Sequence, residues 1–245
     1  MNANPNVAIV ASLVSEPSRA AILTALLDGR FHPASELAYM AGIKPQTASF
    51  HLAKMVEAHV IVVEKQGRHR YYGIQDPEIA KIMESLLSIA PPQKIKSFNQ
   101  ASQDKAIRSA RTCYDHLAGA LGVKVTDSLL NMNVIREDKD GFVVTESGEE
   151  FFQAFQINLE NARKKRRSFS HKCLDWSERR HHLAGALGNA LLERFIELNW
   201  VQRLPKTRAI QITDEGKQGL KETFSIDIYS AVFNCQIGQK KKPSQ

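Results

Sequence analysis

The stretch KPQTASFHLAKMVEAHVIVVEKQGRHRYYGI, residues 44–74, decides how the first part of the chain folds. Its first half places apolar residues at helical spacing, at Ala48, Leu52, Met55 and Val56. The opposite face of that helix carries Gln46, Thr47, Phe50, His51 and Lys54. Such a face is unsuited to a core, whereas glutamine, lysine and phenylalanine can all contact base edges in a major groove. The pattern predicts a groove-binding helix, with an ordinary amphipathic surface helix as the alternative.

The second half of the stretch, VIVVEKQGRHRYYGI, predicts two strands joined by a short turn at Gln66 and Gly67. Basic side chains gather at the tip of this hairpin, at Lys65, Arg68, His69 and Arg70. A basic hairpin directly after a groove-binding helix can hold the phosphate backbone beside the groove, because each cation that meets a phosphate releases counterions. Residues 1–75 therefore predict a winged helix-turn-helix.

The residues before this stretch predict the other helices of such a domain. Pro17 can open a helix with Ser15 as a possible cap, and Gly29 can end it. The segment PASELAYMAGI then predicts a short second helix that Gly42 breaks.

In this order, SRAAILTALLDG, SELAYMAGI, KPQTASFHLAKMVEAHVI and VVEKQGRHRYYGI resemble the ArsR-type transcriptional repressors over about the first 90 residues. The resemblance implies a homodimer, double-stranded palindromic operator DNA and release by a signal. By matching position it implies DNA contacts at Gln46, Thr47, Ser49, His51, Lys54, Arg68 and Arg70, to which base and phosphate chemistry adds Phe50 and Lys65. Metal-sensing members carry a CxC-type thiolate pair in the helix before the recognition helix. That helix here contains ELAYMAG, without cysteine or histidine, so that metal site is absent.

The bulk composition excludes several classes of protein. No apolar run reaches the roughly 18 residues of a membrane helix, and no signal peptide is recognisable, so we expect a cytoplasmic protein that does not enter a membrane. Three cysteines without a CxxC pair do not form a disulfide framework. No GxSxG, HExxH, Walker or dinucleotide fingerprint is present, so we expect neither an enzyme nor a cofactor.

The net charge of +7 arises entirely after residue 90. Residues 1–90 hold 8 Lys and Arg against 8 Asp and Glu, and residues 91–245 hold 25 against 18. Much of the excess lies in RKKRR at 163–167 and KKK at 240–242. Because such runs are ordinarily solvated surface or tail, the overall charge does not establish a nucleic-acid partner.

The chain is predicted to divide after a further helix, DPEIAKIMESLLSIA, whose apolar face in ArsR-like proteins helps to form the dimer interface. That face carries Ile79, Ile82, Met83, Leu86 and Leu87. The prolines of APPQ end the helix, and the polar segment KIKSFNQASQ follows. We predict a DNA-binding and dimerisation domain at 1–90, a linker at 91–103, an effector-sensing domain at 104–235 and a basic tail at 236–245.

The heptapeptide HLAGALG occurs at 116–122 and again at 182–188. Each copy is followed by similar segments, LLNMNVI and FVVTESGEEFF after the first, FIELNWV and IQITDEGKQGL after the second. This predicts two winged-helix-like repeats, with Thr145 and Thr213 capping the last helix of each. Together with the N-terminal winged helix-turn-helix, these repeats predict a mainly α fold with small β-hairpins (α+β) for the whole chain. TCYDHLAG and CLDWSERRHHLAGALG resemble the C-terminal extension of a subset of ArsR-type regulators over about 105–225, a resemblance that implies no particular ligand.

Two interpretations of HLAGALG remain open. We expect it to form the central helix of each repeat, with Leu117, Leu121, Leu183 and Leu187 toward the core. A glycine within that helix then either allows tight helix packing alone or forms part of the wall of an effector pocket. The candidate pocket residues are Cys113, His116, Cys173, Asp175, Trp176, Arg179 and His182.

The most specific function that these patterns support is a dimeric, sequence-specific DNA-binding repressor released by a small-molecule effector rather than by a bound metal. Two alternatives stay open for the signal. Cys113, His116, Cys173 and His182 could bind a metal, although the two cysteines do not align between the repeats, where Cys113 matches Arg179. Cys113 and Cys173 could instead sense redox state. A non-regulatory DNA-binding or assembly protein is the remaining alternative.

Overall fold

The computed structural model describes residues 6–139 and 141–228. Within them the chain forms two compact units. The first contains 6–89 together with Thr112–Asp115 and Leu204–Arg208, and the second contains Ala90–Arg111, His116–Arg203 and 209–228. The basic tail predicted at 236–245 lies outside the described residues.

The first unit contains five helices and three strands among its described residues. They are α1 (Val7–Ser15), α2 (Pro17–Leu26), β1 (His32–Pro33), α3 (Ala34–Met40), α4 (Pro45–Glu57), β2 (Val62–Gln66), β3 (His69–Gly73) and α5 (Pro77–Ile89). The predicted helix-turn-helix and wing are confirmed. The predicted cap of α2 is wrong, because Glu16 and not Ser15 accepts a hydrogen bond from the backbone N–H of Arg19.

The three strands form one antiparallel sheet in the order β1, β3, β2. In the wing, Lys65 lies opposite Arg70 and Gln66 lies opposite His69. The turn therefore consists of Gly67 and Arg68, one residue later than predicted, with Gly67 at a φ of 60°.

The core of the first unit confirms the amphipathic pattern of α4. Ala48, Leu52 and Met55 are fully buried. They pack in one cluster with apolar residues of α2 and α3, including Ile22, Leu23, Leu26 and Leu37. Burial of these side chains fixes which face of α4 remains exposed.

Two segments from later in the chain are part of the first unit. The backbone N–H of Tyr114 donates to the carbonyl of Leu27 at 2.7 Å, and the Tyr114 hydroxyl donates to the carbonyl of Ile74 at 3.2 Å. Arg208 forms a buried ion pair with Glu84 of α5, with Nη1 and Oε1 2.6 Å apart. Neither anchor was predicted from the sequence.

The second unit begins with α6 (Phe98–Ser109), which covers the end of the segment predicted as a linker. The order strand, strand, helix, strand, strand, helix then occurs twice. The first set is β4 (Arg111–Cys113), β5 (His116–Ala118), α7 (Gly119–Asn131), β6 (Ile135–Glu137), β7 (Phe142–Val144) and α8 (Glu146–Ala154). After α9 (Leu159–Arg163), the second set is β8 (His171–Leu174), β9 (His181–Ala184), α10 (Gly185–Glu197), β10 (Val201–Arg203), β11 (Ile210–Ile212) and α11 (Asp214–Phe224).

HLAGALG is not wholly helical, so that expectation is wrong. Its first three residues end a hairpin, and the helix begins at the glycine that follows, Gly119 or Gly185. These two glycines have φ angles of 76° and 85°. The first three residues remain in a strand because the left-handed conformation of the glycine turns the chain sharply from the hairpin into the helix.

The helices α7 and α10 supply much of the second core. Leu121 and Leu187 are fully buried, and Leu117 and Leu183 of the preceding strands are nearly so, as predicted. The predicted caps are also confirmed, since Thr145 Oγ1 accepts from Gly148 N at 3.0 Å and Thr213 Oγ1 from Gly216 N at 2.9 Å. Phe152 and Phe224 of the two last helices join the same core.

In the described part of the chain, no helix by itself has the length and apolar character needed to cross a membrane. The pair α1 and α2, bent by 91°, meets that criterion only when the two are taken together.

Candidate functional site

One face of α4 is exposed and chemically varied. Gln46, Ser49, Phe50 and Lys54 all project into solvent. The Lys54 ammonium lies 4.5 Å from the centroid of the Phe50 ring, a cation–π contact that holds both side chains together. An exposed phenylalanine beside an amide and a cation offers apolar, bidentate and ionic contacts on one surface.

Thr47 and His51 lie at the margin of this face. Thr47 is half-buried and His51 is buried. The His51 ring is held from below, with Nδ1 3.4 Å from Arg19 Nη1 and Nε2 3.4 Å from a carboxylate oxygen of Glu16. His51 therefore joins α4 to the start of α2.

The wing presents a compact group of cations. Lys65, Arg68 and Arg70 are exposed, and Lys65 and Arg70 face each other across the two strands. Like charges directly opposite one another destabilise a hairpin. The arrangement is favourable once an anion neutralises the pair, as a phosphate would.

In the second unit, strand pairing brings together residues that are distant in the sequence. Cys173 lies directly opposite His182 in the hairpin of β8 and β9. The His182 ring meets that of His116 from β5, with the two Nε2 atoms 3.1 Å apart. A donor atom from each of His116, Cys173 and His182 lies within 4.8 Å of the others.

Asp175 is the polar centre of this region and is fully buried. Its Oδ2 accepts hydrogen bonds from Arg111 Nη2 at 2.9 Å and from the backbone N–H of Gly119 at 2.7 Å. Its Oδ1 accepts from the backbone N–H groups of Ser177 and Glu178 and from the Ser177 hydroxyl. With this many donors the carboxylate is held rigidly in its charged form.

The same contacts set the protonation of the two groups at the centre. Burial by itself would raise the pKa of Asp175, but the charge of Arg111, then that of His182 and the hydrogen bonds from Ser177 and Gly119, outweigh it and hold the pKa below its ordinary value. Burial lowers the pKa of His182 well below its ordinary value. The charge of His116 adds to this lowering, and the attraction of Asp175 opposes it. The surroundings of His182 therefore favour its uncharged form.

Trp176 and Arg179 lie outside this centre. The Trp176 ring packs against the guanidinium groups of Arg111 and Arg108, with centroid distances of 4.4 and 5.0 Å, so it contacts protein cations. Arg179 is exposed in the turn, and its backbone N–H donates to the carbonyl of Asp175.

Two residues of the centre were not predicted. Arg111 is fully buried and supplies the counter-charge of Asp175, and Ser177 hydrogen-bonds to both, with its Oγ 3.1 Å from Arg111 Nη1. A single arginine two residues before a cysteine carries no sequence signal of burial. A separate groove of about 230 Å³ between α9 and α10 includes none of the predicted pocket residues.

Comparisons with known proteins agree with the helix-turn-helix fold of the first unit. The family described as a helix-turn-helix domain matches residues 14–64. An uncharacterised HTH-type transcriptional regulator, YdfF of Bacillus subtilis (strain 168), is 53% identical over 225 residues, which cover 92% of this chain and 100% of that protein. The chain belongs to the HTH-type transcriptional regulators.

This assignment makes the regulator a DNA-binding protein, and both its homologue and its fold are those of a transcriptional regulator and not of an enzyme. Among solved structures, the antimony-specific repressor AntR is 25% identical, covers 33% of this chain and 73% of its own, and has a TM-score of 0.31. The repressor BigR from Xylella fastidiosa is 23% identical, covers 36% of this chain and 88% of its own, and has a TM-score of 0.33.

Proposed function

We propose that this regulator is a dimeric, sequence-specific repressor whose second unit senses an effector. The observation that carries the DNA-binding part is the exposed face of α4 beside the cationic wing. We assign contacts with base edges to Gln46, Thr47, Ser49, Phe50 and Lys54, and contacts with phosphates to Lys65, Arg68 and Arg70. The burial of His51 favours a supporting role under the recognition helix over direct contact with DNA.

The proposal of a dimer rests on apolar side chains that the first unit leaves in solvent. Val7, Ile9 and Val10 of α1 are exposed, as are Ile82, Leu86 and Ile89 along one face of α5. A second copy of the chain that covers these faces would remove the apolar area from water. A twofold dimer also presents two recognition helices to successive major grooves of a palindrome.

The repeated order of elements in the second unit supports the duplicated extension that resembles a subset of ArsR-type regulators. Tyr114, which is hydrogen-bonded within the first unit, precedes His116 of the second unit by two residues. An effector that binds at His116 would therefore act on a chain segment anchored in the DNA-binding unit. Such an effector changes DNA affinity only if it prefers one arrangement of the dimer.

The testing experiment is fluorescence-anisotropy titration of labelled DNA from immediately upstream of the regulator's own gene, with scrambled DNA of equal composition, over a salt series. We expect a preference for the native DNA of about 10³ or more. Equal binding to both DNAs would contradict a sequence-specific role and favour a non-regulatory DNA-binding or assembly protein. The oligomeric state is measured in parallel by light scattering, with Leu86→Asp expected to yield monomers.

A further inference from the structure

The second unit buries two imidazoles and a thiol against one another. His116 and His182 are buried and Cys173 is half-buried, and their donor atoms lie within 4.8 Å of one another. A core without a special role would fill such a position with apolar side chains, since buried polar groups are costly unless they are satisfied. Thiolate and imidazole are the ligands that zinc and similar soft or borderline cations prefer.

The spacing of the donors matches what a tetrahedral cation would require. With metal–nitrogen bonds of about 2.0–2.1 Å and metal–sulfur bonds of about 2.3 Å, tetrahedral donors stand roughly 3.3–3.8 Å apart. The Nε2 atoms of His116 and His182 are already 3.1 Å apart. Small side-chain movements would therefore suffice for coordination, without any change of strand pairing.

The position of Asp175 behind His182 is also typical of a histidine that binds a metal. Its Nδ1 makes no hydrogen bond of good geometry and lies 3.5 Å from Oδ2 of the buried Asp175. Histidine ligands ordinarily direct the nitrogen that does not bind the metal toward a carboxylate, which orients the ring and increases its basicity. Asp175 is itself fixed by Arg111 and Gly119, so the orienting group is rigid.

The pairing of the strands explains why this site was not evident from the sequence. In the second hairpin, Cys173 faces His182 across a six-residue turn, Asp175 to Arg180. This register depends on the length of the turn, which the spacing of the residues in the sequence does not reveal.

We propose that His116, Cys173 and His182, which all belong to the second unit, bind one divalent cation of the zinc class. Three protein ligands leave the fourth position of a tetrahedral zinc ion to a water or to a small exogenous ligand. This proposal deepens the proposed function by naming the effector class, and only its regulatory part rests on that function.

The binding test uses the full chain, freed of metal with a chelator and titrated with Co²⁺ and then with Zn²⁺. We expect one Co²⁺ per chain, thiolate-to-cobalt charge-transfer bands and the intense d–d bands of a tetrahedral complex, all displaced by Zn²⁺. Cys173→Ser and His182→Asn should abolish these bands. Cys235→Ser and His69→Gln serve as matched controls for the loss of a thiol and of an imidazole, and should leave them unchanged.

A variant that keeps a donor separates coordination from folding. Cys173→His should still bind one Co²⁺ but lose the thiolate charge-transfer bands, whereas a purely structural defect would abolish Co²⁺ binding itself. Absence of a tetrahedral spectrum from the folded wild-type chain would overturn the proposal. So would thiolate-to-cobalt bands that survive in Cys173→Ser.

The regulatory part is tested separately by DNA anisotropy with the metal-free and the Zn²⁺-loaded protein. We expect the dissociation constant for native DNA to change about tenfold or more on loading. Stoichiometric Co²⁺ binding with unchanged DNA affinity would uphold the metal site and refute its role as the effector site. Specific DNA binding by a chain that binds no metal would overturn the metal site and leave the proposed DNA-binding function intact.

Discussion

The Nε2 atoms of His116 and His182 lie 3.1 Å apart although the two histidines are 66 positions apart in the chain. Each is the first residue of a copy of HLAGALG. A Cβ on Gly188 would stand 3.2 Å from the Cβ of His116, and a Cβ on Gly122 would stand 3.8 Å from that of His182. Each copy of the heptapeptide therefore supplies one histidine and a glycine that borders the histidine of the other copy, and the approach is tight at Gly188.

The position of Gly188 in α10 predicts that its replacement lowers the stability of the fold. A Cβ on Gly188 would also lie 2.5 Å from the carbonyl oxygen of Leu183, which the backbone cannot avoid cheaply. We expect Gly188→Ala to lower the free energy of unfolding by roughly 1–3 kcal/mol. Urea unfolding followed by tryptophan fluorescence measures this in the second unit, because Trp176 and Trp200 both lie there.

The control for that substitution is Glu193→Ala, one turn further along the exposed side of α10. Its ion pair with Arg203 is at the surface, so its loss should cost less than about 1 kcal/mol. If Gly188→Ala unfolded at the same urea concentration as this control, the close approach of strand and helix would be wrong.

The buried ion pair between Asp175 and Arg111 predicts a larger effect. Asp175→Asn keeps the shape of the side chain but leaves the Arg111 guanidinium, which is fully buried, without its counter-charge. We expect a loss of roughly 3–5 kcal/mol in the unfolding free energy. Asp127→Asn, which breaks an exposed pair with Arg180, is the control and should lose less than about 1 kcal/mol. Similar urea midpoints for the two variants would contradict the central role of Asp175.

The pair of His32 and Asp28 in the first unit predicts a dependence of stability on pH. Burial would lower the pKa of His32, but hydrogen bonds and charges from Asp28 and Glu36 outweigh it and raise the pKa above 6.5. Burial would raise the pKa of Asp28, but the hydrogen bond and charge of His32, with help from Arg30, lower it below 3.8. The histidine therefore stabilises the fold fully below pH 6.5 and loses this effect as the pH rises through its folded-state pKa.

Asp28 acts in the opposite direction, since its contribution is present above pH 3.8 and is lost as the pH falls through its lowered pKa. The difference in stability between wild type and His32→Gln should thus be greatest between about pH 4 and 6.5 and should shrink above that range. Thermal unfolding followed by circular dichroism over pH 4–9 measures it. His69→Gln, exposed on the wing, controls for loss of a histidine as such. A difference that grew toward alkaline pH would refute the assignment.

The wing predicts a loss of affinity without a loss of specificity. Replacing Arg68 and Arg70 together by alanine should weaken binding to native and scrambled DNA by similar factors. It should also reduce the slope of log K against log salt by about 1 for each lost phosphate contact. The exposed Arg136 of the second unit gives the matched control, Arg136→Ala. An unchanged salt slope in the double variant would place the phosphate contacts elsewhere.

Gln46 predicts the converse, a loss of specificity at particular base pairs. Gln46→Ala should lose about 1–3 kcal/mol of discrimination at those positions, because the amide can no longer pair with a base edge. Anisotropy titration against a panel of single-base operator variants measures this loss. Gln75→Ala, an exposed glutamine outside α4, should leave the profile intact. An unaltered base preference in Gln46→Ala would mean that α4 does not read the operator through this residue.

The sequence by itself determined the DNA-binding unit, because the evidence there is local. The spacing of Ala48, Leu52 and Met55 fixes the buried face of α4, and the basic hairpin follows within a few residues. The repeat also predicted the caps at Thr145 and Thr213 correctly. Local pattern could not fix where a helix begins when its first residue is a left-handed glycine such as Gly119.

Only the tertiary structure decided the Cys-His cluster of the second unit. Turn length sets strand register, and register sets which residues meet, so Cys173 faces His182 although no fixed repeat offset relates it to Cys113. The burial of Arg111 against Asp175 likewise requires the chain to bring together two residues that are 64 positions apart. The spacing of neighbouring residues is enough to predict a recognition helix. A site built from paired hairpins forms only when the folded chain brings its distant parts together.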